Sequence, residues 1–82
     1  MPTLLFDQGF RFFFYSDEHE PLHVHVEYGG AEARIELGTG KATLSTLKPK
    51  DLQKAIGWAC KHHQQFTLAW HEHFRKNNRQ DN

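Results

Sequence analysis

The feature that most constrains this chain is the Gly29-Gly30 pair. It stands between two runs that alternate apolar and polar residues, LHVHVEY at 22–28 and AEARIEL at 31–37. Alternation with period two marks a strand with one buried face, and two glycines between such strands suit a tight hairpin because both tolerate positive φ. A two-residue turn also sets the register. Tyr28 then lies opposite Ala31, Val26 opposite Ala33 and Val24 opposite Ile35, all on one face, while the other face pairs Glu27 with Glu32, His25 with Arg34 and His23 with Glu36. A slip of one residue would exchange the two faces, so the clean sorting of both strands supports this pairing. Glu27 opposite Glu32 sets like charges together, which is unfavourable unless a cation or a proton sits nearby.

The remaining elements follow from the same reading. Leu4–Phe6 is a short strand and Asp7-Gln8-Gly9 a turn. Phe10–Tyr15 is a strand with Phe10, Phe12 and Phe14 on one side and Arg11, Phe13 and Tyr15 on the other, followed by a polar loop over 16–21. Lys41–Leu44 adds a short strand after Gly38-Thr39-Gly40. Leu52, Ile56, Ala59, His63, Phe66, Trp70 and Phe74 then recur at spacings of three and four, which predicts a helix opening at Lys50-Asp51. It either runs through to about Lys76 or breaks near His62-His63; the expectation is one long element, with Gly57 as its weak point. The fold class expected is α+β: a small antiparallel sheet of three to four strands, covered on one face by a long C-terminal helix. Residues 1–76 form a single domain and 77–82 a frayed tail. The other sheet face carries Arg11, Phe13, Tyr15, His23, His25, Arg34 and Glu36, and is expected to be exposed, as a site or a dimer contact.

A chain of 82 residues buries one modest core, helped here by seven Phe, two Trp and two Tyr. Ten basic and ten acidic residues balance, which excludes a polyanion binder that works through overall charge. Cys60 falls within the helical pattern and reads as a small buried residue. The opening MPTLLFDQGF lacks the basic start and apolar run of a signal peptide, and no stretch is long and apolar enough to span a membrane, so a cytoplasmic location is expected.

Within EHEPLHVHVE, His23 and His25 are two apart on a strand and so project to one side, with Cβ atoms about 7 Å apart. That spacing suits two ligands of one divalent transition metal, with His19 folding back as a third and Glu27 following. It equally suits an acid and a base flanking a phosphodiester, or two solvated side chains without a task. His63 lies on the apolar stripe and reads as a partly buried structural residue facing away from the strand pair; His62, His71 and His73 read as solvated. Arg11, Arg34, Tyr15 and Phe13 could offer phosphate contacts and stacking to RNA, or an interface between two copies of the chain.

GFRFFFYSDEHEPLHVHVE, the glycine-turn hairpin and the terminal WHEHF resemble a family of small prokaryotic proteins, domain of unknown function 4160, over nearly the whole chain. Two prolines usually precede the first strand histidine there; here Pro21 stands and Leu22 replaces the second. The resemblance implies a gene neighbour encoding another small domain, and hence one half of a two-protein, toxin–antitoxin-like module. Arg11, Tyr15, His19, His23 and His25 match the family, but no catalytic assignment comes with it. The leading expectation is a His/Arg/Glu site that cleaves RNA, with His23 and His25 as acid and base, Arg34 and Glu36 beside them, and Arg11 and Tyr15 binding substrate. The alternatives are a non-enzymatic protein-binding module and a metal-binding domain using His19, His23 and His25.

Overall fold

The computed structural model describes residues 3–15 and 21–80, with 74–80 described by backbone alone. The chain forms β1 (Thr3–Asp7), β2 (Phe10–Phe13), β3 (His23–Tyr28), β4 (Ala31–Glu36), β5 (Ala42–Ser45), α1 (Pro49–Lys61) and α2 (His63–Gln80). The strands form one antiparallel meander in the order β1-β2-β3-β4-β5. The α+β class is as expected; the sheet has five strands rather than three or four.

The β3–β4 hairpin has the register set by its glycines, from His23 opposite Glu36 to Tyr28 opposite Ala31. Gly29 and Gly30 sit at φ 57° and 83°, the left-handed conformation that a two-residue turn of this hand needs at both positions. Alternation then buries Val24, Val26, Ala33 and Ile35 beside Phe10, Phe12 and Phe14. Phe14 and Tyr15 lie beyond the end of β2, which is shorter than the expected Phe10–Tyr15 strand, yet Phe14 is still part of the core.

The single long helix is corrected to two. The chain leaves helical geometry at His62 (φ −104°, ψ 19°), whose N–H bonds Trp58 O at 2.9 Å while its own carbonyl accepts from Phe66 N at 2.9 Å. A straight helix cannot follow a twisted sheet along its whole length. The bend lets Ala55 and Ala59 of α1 and Phe66 and Trp70 of α2 all reach the core. Trp58 meets Phe10 edge-on at 4.8 Å, Phe66 stacks on Phe12 at 5.4 Å, and Trp70 meets Phe14 edge-on at 5.2 Å.

The bend also changes which helix side chains are buried. His63, expected against the sheet, is exposed, whereas His62 is half-buried against Phe66 and His73 half-buried against Phe14. His71 is exposed as expected. Cys60, expected in the core, is exposed, because the buried positions of α1 are Ala55 and Ala59. Among the described residues no helix is long and apolar enough to cross a membrane.

Candidate functional site

The second face of the sheet is organised in cross-strand rows. One row runs Phe6, Arg11, Glu27 and Glu32 across β1 to β4; the next runs Phe13, His25, Arg34 and Leu44 across β2 to β5; His23 and Glu36 begin a third. Opposite residues in such rows sit about 5 Å apart at Cβ, so each row is a line of touching side chains.

The expectation that this face is open to solvent is corrected. Phe13 is buried, His25 is 9% exposed and His23 is 1% exposed. The cause is a chain of rings. Phe13 stacks near His25 at 5.6 Å, Tyr15 meets His25 edge-on at 4.5 Å, and His25 meets His23 edge-on at 5.2 Å. His23 in turn abuts Trp70 of α2 at 5.1 Å. Because Trp70 touches both Phe14 and His23, α2 closes the end of the sheet, and the ring of His23 does not point clear of the helix as its strand position suggested.

His23 Nδ1 lies 2.7 Å from the Pro21 carbonyl. A carbonyl only accepts, so Nδ1 carries the proton and the tautomer of the neutral ring is determined. Buried and bonded in this way, His23 is a packing residue, while His25 is the histidine that lines a cavity.

That cavity, of about 360 Å³, is bounded by His25, Glu32, Arg34, Leu44 and Thr46. Glu32 organises its polar side. Tyr15 Oη donates to the carboxylate at 3.3 and 3.4 Å, and His25 Nδ1 lies 3.2 Å from Oε2, within ion-pair range but bent away from a straight hydrogen bond. Thr46 holds the backbone of Glu32: its Oγ1 accepts from Glu32 N at 3.0 Å, and its N–H bonds Glu32 O at 2.9 Å. Arg34 supplies the cation, and its Nε is buried without a hydrogen-bond partner among the described residues. A buried donor left so is costly unless a ligand or water meets it.

The like-charge pair flagged by the hairpin register is resolved on both sides. Arg11 Nη1 reaches Glu27 Oε1 at 3.3 Å while its guanidinium lies 4.4 Å from the centre of the Phe13 ring, and Glu32 has Tyr15 and His25. Arg11 is thereby committed to Glu27, Phe13 and Thr3, away from the cavity. Glu36 lies opposite His23, where it accepts from Thr39 Oγ1 at 3.4 Å, and does not line the cavity. Of the residues singled out in the sequence, the fold brings Tyr15, His25 and Arg34 together. Glu32 and Leu44 belong with them and were not singled out. The signal for Glu32 was present, since it lies two residues before Arg34 and so shares the face of His25.

Among the described residues, no three His, Cys, Asp or Glu side chains are grouped to hold an ion, and His19 lies outside the described residues.

The model of a family described as a domain of unknown function (DUF4160) matches residues 9–71. No curated protein and no solved structure shows a significant match to the chain.

Proposed function

The chain belongs to the DUF4160 family, which carries no established chemistry, and we propose that its cavity is a phosphodiester site that cleaves RNA. The observation that carries this reading is the convergence of His25, Glu32 and Arg34 on one cavity. Arg34 holds the phosphate through charge-assisted hydrogen bonds. Glu32, itself held by Tyr15 and Thr46, orients the imidazole of His25 and stabilises it when protonated, the role a carboxylate plays toward a catalytic histidine. His25 takes the proton of the ribose 2′-hydroxyl as that oxygen bonds to phosphorus. The bond from phosphorus to the 5′ oxygen breaks, and the departing oxygen receives the proton from His25. The products are a 2′,3′-cyclic phosphate and a free 5′-hydroxyl. His23 takes no part in the proton transfers.

The test is cleavage of a labelled single-stranded RNA in the presence of a chelator. His25→Ala should lower kcat/KM by about a hundredfold or more while circular dichroism shows the fold intact. Undiminished cleavage by that variant, or no cleavage by the natural chain, sinks the reading.

A second reading, a non-enzymatic module that docks a small partner protein from a neighbouring gene, is favoured by the solvent-exposed Phe6 and Leu68. It predicts a stable co-purified complex with no turnover, unaffected by His25→Ala. A toxin–antitoxin-like pairing combines the two, with the partner silencing cleavage.

A further inference from the structure

We infer that the cavity takes one unpaired nucleotide, with its base seated on Leu44, so that single-stranded RNA is the substrate; this rests on the phosphodiester reading above. Leu44 is 73% exposed, the highest of the large apolar side chains among the described residues, and it lines the cavity together with His25 and Arg34. Its place in the row matters. Leu44, Arg34 and His25 are consecutive neighbours across β5, β4 and β3. With strands about 4.8 Å apart, Leu44 lies about 5 Å from Arg34 and about 10 Å from His25. That spacing suits one nucleotide and its linkage, with the base on the leucine, the phosphate on the guanidinium, and the imidazole alongside the phosphorus, where the 2′-hydroxyl and the 5′ oxygen flank it on opposite sides.

The depth of His25 selects the strand state. At 9% exposure its ring is recessed among Phe13, Tyr15 and His23, whereas Leu44 stands exposed. A backbone stacked in an A-form duplex presents phosphates on a stiff convex surface and does not reach a recessed imidazole, whereas an unpaired strand can unstack a base and bend its backbone inward. An aliphatic contact with a base makes no base-specific hydrogen bond, so the selection is for unpaired nucleotides rather than for a particular base. The blunted sheet edge supports the same occupant. β5 carries an extra residue between Ala42 and Leu44 that interrupts its ladder, which disfavours addition of another protein strand there.

Leu44 makes no core contact, so its substitution spares the fold. The experiment uses the full chain with Leu44→Asp and Leu44→Met, a labelled RNA in single-stranded and duplex form, and an uncleavable strand with 2′-deoxyribose at every position. Leu44→Asp should weaken binding of the uncleavable strand, and raise KM for the RNA, by about tenfold with kcat kept, and Leu44→Met should restore both. The duplex should be cleaved at least about tenfold more slowly than the single strand. Equal affinity of the natural chain and Leu44→Asp for the uncleavable strand overturns the inference, as does equal cleavage of duplex and single strand. Binding that depends on Leu44 without any RNA cleavage supports the nucleotide seat and sinks the cleavage reading instead. Binding of a protein partner lost in Leu44→Asp, with no strand bound, overturns the seat.

Discussion

His23 and His25 differ by two positions and by one turn of circumstance. Both occupy the same face of β3, yet His23 is enclosed by Trp70, His25 and the Pro21 carbonyl, while His25 opens onto a cavity with Glu32 and Arg34. A buried, bonded imidazole acts as a space-filling side chain with one satisfied donor. His23→Ala should therefore cost about 2–4 kcal/mol of folding stability, from the cavity left against Trp70 and the orphaned carbonyl. Urea unfolding measures it, and a cost below about 0.5 kcal/mol would contradict the packing role. The exposed Arg11–Glu27 pair belongs to a weaker class, since ion pairs open to water contribute little beyond the stacking of Arg11 on Phe13.

At the scale of elements, the hairpin places the site and the helices close it. His25, Glu32, Arg34 and Leu44 come from three successive strands and Tyr15 from just past the end of β2, so the cavity depends largely on strand register. From the helices, Trp70 reaches that face at the sheet's end. α1 carries one local weakness, Gly57, which is exposed and has space for a Cβ, with nothing within 4 Å. Gly57→Ala should raise stability by about 0.5–1 kcal/mol through a better helix propensity, read as a higher midpoint in urea. An unchanged or lowered midpoint would mean that the glycine serves some contact outside this helix.

For the molecule as a whole, one aromatic layer joins β2 and β3 to both helices. Phe12 touches Trp58 of α1 and Phe66 of α2 and is fully buried, so it ties the sheet to both helices. A chain this small holds about 5–15 kcal/mol of net stability, and Phe12→Ala should remove about 3–5 kcal/mol of it. Thermal unfolding should show a large drop in midpoint, with loss of any site-dependent activity at temperatures where the natural chain is folded. A small shift would place the structural centre elsewhere. The same thinness of core explains why the second face is part-buried: with helices on one side only, aromatic side chains on the other side cover one another instead.

Periodicity and glycine placement were enough to determine the class of fold, the β3–β4 register and the apolar face of the hairpin, because alternation and φ are local properties that act within a few residues. The residues Tyr15, His25 and Arg34 were legible as one face for that reason. What the tertiary structure alone decided is which polar residues share a cavity. The bend at His62, the capping of His23 by Trp70 and the convergence of Tyr15 and His25 on Glu32 all depend on contacts between elements far apart in the chain. Sheet twist and side-chain reach set those contacts, and neither is written in the spacing of residues along a single strand or helix.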